Sequence, residues 1–142
     1  MKFVIGAIIL IAVLGVGYLQ WPRTQVDRSQ PSAEQGTALA DVVVPEELSA
    51  EAQIGKRGFE AKCAVCHGVN GAGKDGAGPP LVHVIYEPNH HGDRAFYVAA
   101  ANGVRQHHWP FGNMPPVAGV TNADVKSIVR YIRELQVANG IN

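Results

Sequence analysis

Cys63, Cys66 and His67 are the residues whose types and spacing most directly suggest chemistry. They fall in Cys63-Ala64-Val65-Cys66-His67, two thiols three positions apart with an imidazole directly after the second, and the chain has no other cysteine. C-x-x-C-H is the attachment signature of c-type haem. Each thiol adds to a haem vinyl group, and the histidine supplies the proximal iron ligand. Two other chemistries use paired thiols. A dithiol redox pair needs a βαβ setting, which the flanking pattern lacks. A closed zinc site needs four ligands, and distant histidines would have to complete it here. The expectation is therefore one haem c, held covalently through Cys63 and Cys66 with His67 on the iron. Such attachment takes place outside the cytoplasm, so the chain is expected to be exported.

A haem iron has a second axial position. Of the two methionines, Met1 precedes a long apolar run, which leaves Met114 in Gly112-Asn113-Met114-Pro115-Pro116. The prolines stiffen this loop and lower the entropic cost of holding a thioether in place. His/Met ligation raises the potential and closes both axial positions, which suits electron transfer and opposes substrate chemistry. The plainer role for a methionine is to fill a gap in the core. His67 also needs an acceptor for its Nδ1–H. A proline carbonyl in Pro79-Pro80-Leu81 is a candidate, and such a bond would fix the ring.

Five further histidines, His83, His90, His91, His107 and His108, lie within 26 residues. Three roles compete for them. They are polar loop residues or donors to haem carboxylates, a role open also to Arg105 by charge and Trp109 by its indole N–H. Alternatively His90, His91, His107 and His108 hold a second metal, copper or zinc, since imidazole suits both. Or one of them replaces Met114 on the iron in some state.

Several elements must position these groups. Ser49 is a good N-cap, and Ile54, Gly55 and Phe59 follow at helical spacing. The spacing predicts a helix over about 50–62 that delivers Cys63 at its end. Gly55 and Phe59 share a face, either as an ordinary core stripe or as the place where another helix crosses closely. A second helix is predicted over Arg94 to Asn102, started by Asp93 or Gly92 and stopped by Asn102-Gly103. Thr121-x-x-Asp124 resembles a capping box, and Val125, Ile128, Ile132 and Leu135 continue an apolar stripe to about Gln136. Residues 68–80 are rich in glycine. Gly71 to Gly76 fits G-x-G-x-x-G and Gly68 to Lys74 fits G-x-x-x-x-G-K. Both phosphate motifs need a preceding strand and a following helix, and the second needs Ser or Thr where Asp75 stands. Tight turning beside a haem edge accounts for these glycines better.

Residues 3–19 form one uncharged apolar run after Lys2. As a helix it would be about 26 Å long at ~1.5 Å per residue, near the thickness of a bilayer core. It is longer than the apolar core of a cleaved signal, and Gly15-Val16-Gly17 is a poor cleavage site. Tyr18 and Trp21 resemble an interfacial anchor. Residues 1–21 are therefore read as an uncleaved single-pass anchor, 22–45 as a flexible linker, and 46–142 as the folded domain. Twelve basic and twelve acidic residues give zero net charge, which removes any bulk argument for nucleic acid.

Taken together these motifs resemble class I c-type cytochromes, specifically small membrane-anchored mono-haem ones, over about residues 46–140. The resemblance rests on Cys63-Ala-Val-Cys66-His67, on Gly78-Pro79-Pro80-Leu81, and on Asn102-Gly103 followed by Met114-Pro115. Gly55 and Phe59 on the first helix and Ile128 and Tyr131 on the last add to it. It implies an all-α fold with the first and last helices crossing, Pro79 as the carbonyl partner of His67, and Met114 as the distal ligand. It also implies single-electron transfer without enzymatic activity, between membrane-bound redox complexes acting as donor and acceptor. The haem domain would lie on the periplasmic side of the inner membrane. Two alternatives remain at this point: a fixed haem subunit of a larger oxidase, reductase or dehydrogenase, and a sensor or enzyme with an open axial site. Lys56, Arg57, Lys62 and Lys74 are plausible charges around the docking edge. The domain carries nine basic and nine acidic residues from Glu46 onward, so steering by net charge should be weak.

Overall fold

Ser49 starts the first helix and ties it to the last. In the computed structural model, which describes residues 36–142, its hydroxyl accepts from the Ala52 N–H (3.2 Å) and donates to Glu134 Oε1 (2.6 Å). Its own N–H reaches Glu134 Oε2 at 3.0 Å. Helix α1 (Ala50–Lys62) runs from this cap and buries Ala52, Gly55 and Phe59. A single turn, α2 (Ala64–His67), follows after Cys63. Helix α3 (Asp93–Asn102) is next, and α4 (Asn122–Ala138) closes the chain. Two short 3-10 turns lie at Val69–Gly71 and Val84–Tyr86. The described residues contain no strand longer than an isolated bridge, so the domain is small and mostly helical.

Helix α4 begins at a reciprocal cap. Thr121 Oγ1 accepts from the Asp124 N–H, and the Asp124 carboxylate accepts from the Thr121 N–H at 2.9 Å. Its apolar stripe then buries Val125, Ile128, Val129, Tyr131, Ile132 and Leu135. Helices α1 and α4 cross at Gly55, where any Cβ would collide with the Ser127 carbonyl, so only glycine permits the approach. One turn further on, the Phe59 and Tyr131 rings meet at 5.8 Å, tilted by 57°. Both are fully buried, each worth roughly 1.5–3 kcal/mol of transfer energy before entropy is counted. The Tyr131 hydroxyl, pushed up to about 12 by burial and by Glu60, donates to Asn70 Oδ1 at 2.9 Å. That bond ties the glycine-rich loop to the crossing.

Part of the expected linker is not free. The Leu39 and Ala40 N–H groups both donate to the Ala72 carbonyl, and the Thr37 carbonyl accepts from Asp75. Asn139, at the end of α4, pairs with both backbone groups of Val43 at 2.9 and 2.8 Å. Val42 packs on the core while Val43 faces solvent. Residues 37–43, within the stretch read as linker, thus bond to the folded domain. Polar, proline-bearing composition suggested a coil there, but loop carbonyls and one asparagine satisfy its backbone. The proposed anchor, residues 1–21, and the linker up to residue 35 lie outside the described residues. Among the described residues no helix is long and apolar enough to cross a membrane.

Candidate functional site

Cys63 caps α1, its N–H bonded to the Phe59 carbonyl at 2.8 Å. The single turn of α2 then brings His67 back over the core, its N–H on the Cys63 carbonyl at 2.9 Å. The loop beyond returns through bonds from Gly73 N–H to the His67 carbonyl (2.7 Å) and from Leu81 N–H to the Gly71 carbonyl (2.8 Å). This return places the Pro79 carbonyl 2.9 Å from His67 Nδ1, which donates to it. The remaining nitrogen, Nε2, is left as the acceptor or metal ligand. Burial holds the His67 pKa below the usual imidazole range, partly offset by the Pro79 bond, so the ring is neutral at pH 7. The Cys63 thiol is half-buried and is pushed up to about 11 by burial and by the neighbouring Cys66. It is therefore a thiol rather than a thiolate at neutral pH, which lowers its reactivity as a nucleophile. Cys66 is exposed.

Met114 is held by its backbone. It forms an antiparallel bridge with Val104, N–H to carbonyl in both directions at 2.9 Å. Gly103 precedes this pair at φ +74°, and a side chain there would strike the Met114 carbonyl. Inside the loop, Asn113 Oδ1 accepts from Gln106 N–H and Gln106 Oε1 accepts from Gly112 N–H, both at 2.9 Å. A bond from Val117 N–H to the Ala100 carbonyl ties the loop to α3.

His67 and Met114 line the same cavity of ≈520 Å³, together with Cys63 and Pro79. Its other walls are largely apolar, among them Phe59, Leu81, Phe96, Val104 and Ile128. That size and lining suit a cofactor. An imidazole nitrogen and a thioether on one apolar cavity, with a thiol at its edge, match the donor set of a c-type haem. The polar rim agrees. Trp109 lines the cavity, and its Nε1–H is buried with no partner among the described residues. An orphaned donor of this kind costs about 1–3 kcal/mol, which a haem carboxylate would relieve. Burial raises the Tyr86 pKa and the nearby Trp109 indole opposes that, but the pair does not reach hydrogen-bond geometry. Arg105 is exposed and also lines the cavity.

The histidines separate into two groups. His83 caps the turn at Val84–Tyr86, accepting from Ile85 N–H at 3.2 Å, and its ring meets Trp109 edge-on at 5.2 Å. His90, His91 and His108 come together with ligand nitrogens within 4.8 Å of one another. His107 stands beside them, its ring 4.3 Å from that of His108. The His108 pKa lies below the usual range, through partial desolvation and then the neighbouring His107, His91 and His90.

Two residues not singled out in the sequence hold the 81–93 segment in place. Gln136 is fully buried on α4, and its Nε2 donates to the Leu81 and Tyr86 carbonyls. Arg133 donates to the Tyr86 and His91 carbonyls (2.7 and 2.6 Å), to Asp93 and to Gln136, and lies over the Phe96 ring. The signal for Gln136 is a polar residue on the apolar stripe, four after Ile132. Arg133 carries no comparable signal. Of the cations expected at a docking edge, none lines the cavity; Lys56 pairs with Glu60, Lys62 reaches the Ala118 carbonyl, and Lys74 reaches that of Val65.

A family model described as cytochrome c matches residues 52–136, from the first turn of α1 almost to the end of α4. No curated protein and no solved structure matches the chain.

Proposed function

The chain belongs to the cytochrome c family, and on that premise we propose that it is a membrane-anchored mono-haem carrier shuttling electrons between membrane-bound redox complexes. Membership brings a covalently bound haem c and haem-based electron transfer. When bound, the haem takes up and releases one electron at its iron. The roles of the chain's own residues follow from their chemistry. Cys63 and Cys66 hold the group through thioethers. His67 offers Nε2 to the iron, and Pro79 orients its ring. Met114 would offer its thioether sulfur as the second ligand, leaving no position for substrate. Trp109 and Arg105 receive the carboxylates at the rim.

The observation that carries this reading is that His67, fixed by Pro79, and Met114, fixed by Val104, line one apolar cavity. The apolar run at residues 3–19 supports anchoring, with the haem domain on the periplasmic side of the inner membrane. The test is spectroscopy of the full-length protein in membranes. The wild type should be low-spin, with a methionine–iron charge-transfer band, and should not bind carbon monoxide when reduced. Met114→Ala should lose the band and gain carbon monoxide binding. A high-spin wild type, or one that binds carbon monoxide untreated, would sink the carrier reading in favour of an open haem. Stoichiometric co-purification with one complex in mild detergent would replace the shuttle by a fixed subunit.

A further inference from the structure

The three clustered histidines meet the requirements of a metal site that the haem does not use. His90 Nε2 and His108 Nε2 are 3.4 Å apart. That is long for a nitrogen–nitrogen hydrogen bond. It is the separation of two ligands on one ion, because nitrogens at ~2.0–2.1 Å on a tetrahedral centre lie about 3.3 Å from each other. Among the described residues the His90 and His108 rings make no other hydrogen bond. The His91 ring donates Nδ1–H to the Ile85 carbonyl at 2.7 Å, which leaves Nε2 to ligate. Such a bond is the usual support of a metal-binding imidazole.

The two arms of the cluster are anchored independently. The Glu87 carbonyl accepts from both the His90 and His91 N–H groups, and Arg133 holds the His91 carbonyl. On the other arm, His107 Nδ1 donates to the Arg105 carbonyl at 2.8 Å, next to a loop closed by the Val104–Met114 bridge. His107 stands outside the three whose ligand nitrogens converge, which leaves a fourth position to water. His90 and His108 are exposed and His91 half-buried, so an ion has access from solution. Among the described residues no carboxylate belongs to the cluster. An all-imidazole donor set selects copper or zinc over calcium or magnesium.

We propose that His90, His91 and His108 bind one divalent copper or zinc ion at the rim of the cavity. Copper binds the tighter of the two, as the Irving–Williams order requires for a shared nitrogen site. This site is separate from the proposed iron ligands His67 and Met114, and its existence does not depend on the electron-transfer partners.

The experiment titrates the full-length haem-loaded protein with Cu²⁺ alone and with Zn²⁺ alone, by calorimetry, with paramagnetic resonance for copper. One equivalent of each should bind, the copper spectrum should carry coupling to several nitrogens, and copper should displace zinc. His90→Ala and His108→Ala should each weaken binding by at least about a hundredfold, the upper end of what losing even an outer partner costs. Their haem spectra should stay unchanged, which separates the site from iron ligation. His83→Gln should leave binding as in the wild type. The proposal is overturned if neither ion binds stoichiometrically. It is equally overturned if binding survives the two alanine substitutions together, or if His83→Gln weakens it as much.

Discussion

On the His67 side of the cavity, α1 and α4 bury a continuous set of aromatic and aliphatic side chains. Their backbones touch at Gly55, and Ser49 bonds across to Glu134. On the Met114 side, α3 has no fully buried residue, and Phe96, Val98, Ala99 and Ala100 face the cavity instead. That side is held by polar bonds to backbone: Arg133, Gln136, Asn113, and the paired Val104 and Met114. One wall is protein packed on protein, and its stability is intrinsic. The other is a frame whose apolar contents come from what the cavity holds, so its order should depend far more on the haem.

Changes to the crossing should produce the largest losses. Gly55→Val places a branched side chain against the Ser127 carbonyl, and neither helix backbone can yield without opening the crossing. Overpacking of this severity should cost at least roughly 3 kcal/mol, read as a lower denaturant midpoint. A loss under about 1 kcal/mol would mean that the crossing is softer than the packing implies.

Arg133→Met should have a smaller global effect and a more local one. It removes charged hydrogen bonds to the Tyr86 and His91 carbonyls and to Asp93, worth roughly 1.5–3 kcal/mol. Amide exchange should accelerate over residues 84–93 and stay unchanged at the α1–α4 crossing. Uniform acceleration would erase the distinction between the two walls.

Ser49→Ala should be the mildest, at about 1 kcal/mol for the lost cap, with a change in acid sensitivity. Desolvation raises the Glu134 pKa, but bonds from Ser49 and then Arg130 outweigh it and hold the carboxyl below the usual range. A carboxyl with a depressed folded pKa contributes stability that is complete above its unfolded value, about 4.3. That stability is lost as the pH falls through the lower folded value. Ser49→Ala should reduce this acid-dependent loss, measured as stability against pH below about 5. An unchanged profile would place the effect on other carboxyls.

How far each part could be read in the chain follows from the same contrast. Helices α1, α3 and α4 announce themselves by Ser49, by Gly103 and by the Thr121–Asp124 box, and their lengths fall close to those the spacing predicts. The α1–α4 crossing is marked by a glycine on an apolar face. Within the candidate site, the carbonyl that His67 meets lies only twelve positions further along a turn-forming stretch, so that contact is local enough to read. The remainder depends on partners far apart in sequence. Val43 meets Asn139 across 96 positions, and Arg133 reaches His91 across 42. Both use backbone carbonyls, which leave no trace in residue type. The five histidines were visible as a group, but only the path of the 81–93 segment decides that three of them converge and His83 does not.

The bridge between Val104 and Met114 bears on time as well as place. Were Met114 the distal iron ligand, as proposed, a side-chain rotation that freed its sulfur would leave its Cα pinned by two hydrogen bonds. Recapture then needs only another rotamer hop, an event of picoseconds to nanoseconds. Carrying the residue out of reach requires both bonds to break and the loop to move, which is far slower. In that role the bridge would shorten each excursion rather than forbid it, and competing small ligands would meet a gap that recloses quickly.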